Sequence, residues 1–107
     1  MTKVKNAVKK KLGNGIEFKL RNTIINGDKR GCYGYIKNPE NGITVYIDTE
    51  FGCCTPMYFR YAKDEKDSTG CHNNWAHNLD ELVNGVCEFL NAPAQYQREL
   101  AAWGKVG

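Results

Sequence analysis

Apolar and polar residues alternate most regularly between Gly31 and Ala62, and the rest of the chain is patterned around that stretch. Ile43, Val45 and Ile47 alternate with Thr44, Tyr46 and Asp48, the two-residue period of a pleated strand with unlike faces. β-Branched and aromatic side chains crowd the run, as a half-buried sheet surface favours. Just before it, Asn38-Pro39-Glu40-Asn41-Gly42 reads as a hairpin loop. Pro39 presets φ for the first corner and Gly42 accepts a left-handed exit. Cys32–Lys37 is then the incoming strand, and Met57–Tyr61 a third strand opening after Pro56. Together they predict an antiparallel meander.

The flanks have other periods. Val4, Ala7, Val8 and Leu12 form one stripe of a short helix over residues 2–12, with Gly13 as its stop. Gly15–Arg21 alternates again, with Ile16, Phe18 and Leu20 inward, and reads as a strand. Thr23–Ile25 is expected to be a short strand of its own before the Asn26-Gly27-Asp28 turn. Residues 63–77 show no period and read as a long loop, with Trp75 tucked beneath it as an anchor or exposed as a binding hot spot.

Asn78 followed by Glu81 resembles a capping box ahead of Leu79, Leu82, Val83, Val86, Phe89 and Leu90, a wide apolar helical stripe. Gly85 inside that stripe suggests close contact with the sheet. Pro93 opens a final helix carrying Tyr96, Leu100 and Trp103, which Gly104 should end. The expected fold is therefore a single α+β domain over residues 1–107. It has a four- to five-stranded antiparallel sheet, with an N-terminal helix and two C-terminal helices covering one face. The other face would present Tyr46, Tyr58 and Arg60, with Tyr33 and Tyr35 joining them or not according to register.

Composition narrows the picture only in part. Hydrophobic content of 41% and charged content of 25% suit a soluble globular protein. No apolar run has the length of a membrane span, and the lysine-rich start lacks the apolar core of a secretory signal. Five cysteines, two of them adjacent at Cys53-Cys54, do not resemble a disulfide framework, so a cytoplasmic setting is expected. Charge is lopsided: residues 1–21 carry seven Lys/Arg against Glu17, whereas the remainder has a net charge of −3.

Four kinds of chemistry compete for these residues. Zinc would need tetrahedral ligands from Cys54, Cys71, His72 and His77, but adjacent pairs are a poor spacing for it, and no metal or cofactor is expected. A cysteine enzyme could use Cys71 with His72 or His77 and an orienting Asn73 or Asn74, yet no catalytic signature surrounds Cys71. Cys32 and Cys87 read as buried, inert thiols. Single-stranded nucleic acid could be held by Lys9, Lys10, Lys11 and Lys19 while sheet tyrosines stack bases. The bland reading is that the lysines solvate a helix and the tyrosines pack across strands.

A non-enzymatic protein-binding module using Tyr46, Tyr58, Arg60 and Trp75 is the leading expectation. Size and composition suggest an adaptor, regulator or inhibitor of bacterial or phage origin. Nucleic-acid binding is the alternative, and a Cys/His enzyme or zinc module stands third.

Overall fold

The computed structural model describes residues 1–50, 57–67 and 72–106, with side chains given through residue 102. Eight elements follow in chain order: α1 (Thr2–Leu12), β1 (Glu17–Ile25), β2 (Asp28–Asn38), β3 (Ile43–Asp48), β4 (Met57–Ala62), β5 (Asn74–Ala76), α2 (Leu79–Leu90) and α3 (Pro93–Val106). The five strands form one antiparallel sheet in sequence order, the α+β meander that the alternation predicts. Among the described residues no helix is long and apolar enough to cross a membrane.

Register decides what each face carries. Ile36 pairs with Val45, and Val45 with Tyr61, so the residues that share their face (Cys32, Ile43, Ile47 and Phe59) all point toward the helices. These residues are buried and merge with Val4, Val8, Leu82, Val86 and Leu90 in one core. Gly85 explains how closely α2 approaches. A Cβ built there would lie 2.3 Å from Cζ of Phe59, so only glycine leaves room for the ring. Tyr61 stacks on Phe89 with ring centroids 4.1 Å apart. The Tyr96 hydroxyl donates to the Ala62 carbonyl at 2.8 Å and ties α3 to β4.

Local signals behave as their chemistry requires. Asn78 Oδ1 accepts from the Glu81 amide at 2.9 Å, and the Glu81 carboxylate accepts from the His77 amide at 2.8 Å. The hairpin loop after β2 has a second task. Asn38 and Asn41 both donate through Nδ2 to the Leu90 carbonyl, at 3.2 and 2.9 Å, and so close the C-terminus of α2.

Four expectations change. Thr23–Ile25 is no separate strand but the end of β1, continuous across a bulge between Thr23 and Ile24. β2 begins at Asp28 rather than Cys32, because the Asn26-Gly27 turn extends pairing into charged residues. The expected 63–77 loop contains β5, and α3 continues past Gly104 to Val106.

Candidate functional site

The face of the sheet opposite the helices carries the residues that sequence reasoning nominated, and register brings most of them together. Tyr35 lies directly across from Tyr46, Tyr46 from Arg60, Tyr58 from Asp48, and Trp75 from Tyr58. The rings form a row across β2 to β5. Centroids are 5.1 Å apart for Tyr35–Tyr46, 5.9 Å for Tyr46–Tyr58 and 5.7 Å for Tyr58–Trp75. Tilted and edge-on contacts of this kind contribute about 0.5–1.5 kcal/mol each beyond their buried area. Tyr33 shares this face through its pairing with Asp48, which settles that both Tyr33 and Tyr35 belong to it.

Arg60 braces the row from below. Its guanidinium carbon sits 4.7 Å from the centroid of the Tyr46 ring. Nη2 donates to the Asp67 carbonyl at 3.0 Å, and the Tyr35 hydroxyl donates to that same carbonyl at 2.8 Å. The Lys63–Asp67 segment thereby turns back over the open face, and Lys19 pairs with Glu65 to hold its middle. Only 5% of Arg60 is exposed, so the structure places it beneath the surface and not at its outer limit.

Electrostatics follow from partial burial. Desolvation pushes the hydroxyl pKa of Tyr46, Tyr58 and Tyr35 upward, Tyr46 furthest, where Tyr58 and Asp48 add to the effect. These phenols stay protonated at neutral pH. Desolvation likewise raises the Asp48 carboxyl, partly countered by the bond it accepts from the Glu50 amide at 2.9 Å. The row therefore combines large rings with phenols that are protonated near neutrality, the Tyr35 hydroxyl being a fixed donor to the Asp67 carbonyl.

Exposure picks out one ring. Trp75 is 49% exposed and Tyr33 36%, whereas Tyr58 is only 9% exposed. Sequence reasoning named Trp75 but put it in a loop. It belongs to a strand three residues long, too short to show a period.

The remaining nominees lie elsewhere. Lys9, Lys10 and Lys11 are on α1, which packs beside α2 in the helix layer. Lys9 reaches over the Phe18 ring of β1, and Lys11 bonds to Asn84 of α2. The helix lysines and the aromatic row thus occupy different layers, whereas Lys19 and Arg21, paired with Tyr35 and Tyr33, lie on the tyrosine face. His77 is exposed and engages Glu81 through Nδ1 at 3.2 Å, as part of the α2 cap. Cys53, Cys54 and Cys71 lie outside the described residues, among which no three potential ligands of the His, Cys, Asp or Glu type converge. Cys32 and Cys87 are buried free thiols, and burial pushes the Cys87 thiol up.

Two features were not visible in sequence. Asp67 offers one carbonyl to both Arg60 and Tyr35, a convergence that only the sheet register creates. A shallow cleft of about 350 Å³ also opens beside the row between Lys37, Thr44 and Lys63–Lys66, its lining of mixed charge. Comparison with protein-family models, with curated proteins and with solved structures returns no match to this chain.

Proposed function

We propose that this chain is a non-enzymatic binding module that seats a protein partner on the open face of its sheet, with Trp75 as the anchor. The observation that carries the reading is the half-exposed indole on β5, backed at 5.7 Å by Tyr58. A large aromatic side chain that is already packed against a neighbour yet half exposed has less freedom to lose on binding, and Trp is enriched among binding hot spots. Tyr46 and Tyr58 fix its support, and the Lys63–Asp67 segment supplies a polar rim. Bacterial or phage origin and a cytoplasmic site of action remain part of the proposal and rest on composition alone.

Single-stranded nucleic acid fits this face less well. Base stacking needs open ring faces beside a cationic track. Here the rings lean on one another, Tyr58 is largely covered, and Lys9, Lys10 and Lys11 are in the other layer.

Capture from nuclease-treated lysate on the immobilised chain, followed by titration of the recovered protein, tests the reading. Trp75→Ala should weaken that binding by about 30-fold, the effect of a hot spot of about 2 kcal/mol. Replacing Lys9, Lys10 and Lys11 by Gln should leave it unchanged. Capture that requires nucleic acid, or binding indifferent to Trp75, would overturn it.

A further inference from the structure

At the sheet edge opposite Trp75, β1 and β2 run on beyond the rest of the sheet. The last β3 residue in the register is Asp48, opposite Tyr33, and Thr49 closes the neck. The Thr49 amide donates to the Cys32 carbonyl and the Cys32 amide to Thr49 Oγ1, both at 2.9 Å. At the neck, a Cβ on Gly31 would meet Thr49 Oγ1 at 2.5 Å, so the ribbon is clamped where it leaves the sheet. Beyond that point, among the described residues, β1 pairs with β2 alone, and every residue from Ile24 to Arg30 is exposed. Four residues of extended chain from the neck to the Asn26 corner make an arm of about 13 Å.

The arm is basic and so is the side of the molecule that bears it. Residues 1–37, which form α1, β1 and most of β2, hold ten Lys/Arg against Glu17 and Asp28. Residues 38–107 hold five against ten Asp/Glu. A net +8 side therefore adjoins a net −5 side, a sharper division than the first 21 residues alone suggest. On the arm itself, Thr23 pairs with Gly31 and Ile24 with Lys29, which leaves Arg30 as the extra residue of the bulge. Bulges of this kind add twist and re-aim a side chain. Lys29 and Arg30 accompany the single carboxylate Asp28 on the arm, Arg21 stands just before the neck opposite Tyr33, and Ile24 is 57% exposed.

We infer that this β-ribbon arm is a docking element for double-stranded nucleic acid. It would enter the major groove, with Arg21, Lys29 and Arg30 on flanking phosphates and Ile24 against the groove wall. A two-stranded ribbon fits a groove about 12 Å wide and about 8.5 Å deep, and the arm is long enough to reach its floor. Charge complementarity supplies the affinity. A lipid surface suits the arm less well, because its apex is Asn26-Gly27-Asp28 and the two isoleucines flank that polar tip instead of forming it. The inference is independent of the protein-binding reading, which concerns the opposite edge of the sheet.

Fluorescence anisotropy of a labelled mixed-sequence DNA duplex, titrated with the full chain from about 50 to about 200 mM salt, is the test. Binding should be in the micromolar range at low salt and fall steeply as salt is added. Lys29→Gln should flatten the logarithmic salt slope by about one, and the triple change Arg21→Gln, Lys29→Gln, Arg30→Gln by about three, with at least a tenfold loss at low salt. All three side chains are exposed, so unchanged melting temperatures should accompany these losses. Absence of duplex binding at about 50 mM salt overturns the inference. So do an inert triple variant, tighter binding to the single strand of the same sequence, or capture by phosphatidylserine vesicles without capture by the duplex.

Discussion

Tyr61 and Tyr46 occupy adjacent strands one register position apart, yet they enter opposite worlds. Tyr61 faces the helices, is fully buried, and lies nearly flat on Phe89 with an interplanar angle of 13°. Tyr46 faces away, edge-on to Tyr35 and over the Arg60 guanidinium. One face of the sheet is held by filled volume, the other by rings leaning on polar groups that converge on the Asp67 carbonyl. Removing mass should therefore be ruinous on the first face and tolerable at the rim of the second. Tyr61→Ala is expected to cost about 3–5 kcal/mol in urea unfolding. Trp75→Ala, at the exposed end of the row, should cost under about 1 kcal/mol while abolishing most partner binding. Equal losses of stability in the two variants would break the contrast.

The tightest point of the helix face offers a sharper test. Gly85→Ala places a methyl group against the Phe59 ring, and overpacking of this kind costs about 1–3 kcal/mol. The better helix propensity of Ala, worth about 1 kcal/mol, offsets part of that. Combining Gly85→Ala with Phe59→Leu should recover more than additivity allows, because the two changes share one contact. A double variant whose losses simply add would mean that α2 reaches the sheet differently.

How much of this was legible follows from the kind of signal each element leaves. Ile43, Val45 and Ile47 advertise their strand by alternation, and Asn78 with Glu81 advertises a helix start by cap chemistry; both act within a few residues. Gly85 pointed to close packing because a glycine in an apolar stripe has little other use. β5 was missed because Asn74–Ala76 is held by pairing with β4 and has no period of its own. Asp28–Arg30 was missed because charged residues have weak strand propensity, and the turn at Asn26-Gly27 imposes their pairing instead. The row from Tyr35 to Trp75 is a property of register, and register is a long-range fact. The same holds for the bonds from Asn38 and Asn41 to Leu90, which join positions about fifty residues apart.

On the open face, the brace should matter more than the ring it supports. Arg60→Met keeps an apolar stem under Tyr46 but removes the donor to the Asp67 carbonyl. The expected loss is about 1–2 kcal/mol, with faster proteolysis within residues 63–67 as the segment is released. Unchanged cleavage there would show that the Tyr35 hydroxyl and the Lys19–Glu65 pair suffice to hold the segment down.

The smallest effect concerns charge on that face. Burial raises the folded pKa of Asp48 above its unfolded value. Between those two values the native state binds more protons than the unfolded chain, so stability falls as pH rises through that window and stays lower above it. Below the unfolded value both states are protonated and the penalty disappears. Asp48→Asn keeps an Oδ1 acceptor for the Glu50 amide while removing the charge. The variant should therefore be slightly more stable than the parent at neutral pH, by about 0.5 kcal/mol or less for so accessible a group. That advantage should vanish as the pH drops below the ordinary carboxylate range. Urea midpoints of the two proteins compared across that range measure it directly. A variant less stable than its parent at neutral pH would show that the Asp48 carboxylate gains more from its neighbours than burial takes away, and that the open face, unlike the helix face, welcomes a negative charge.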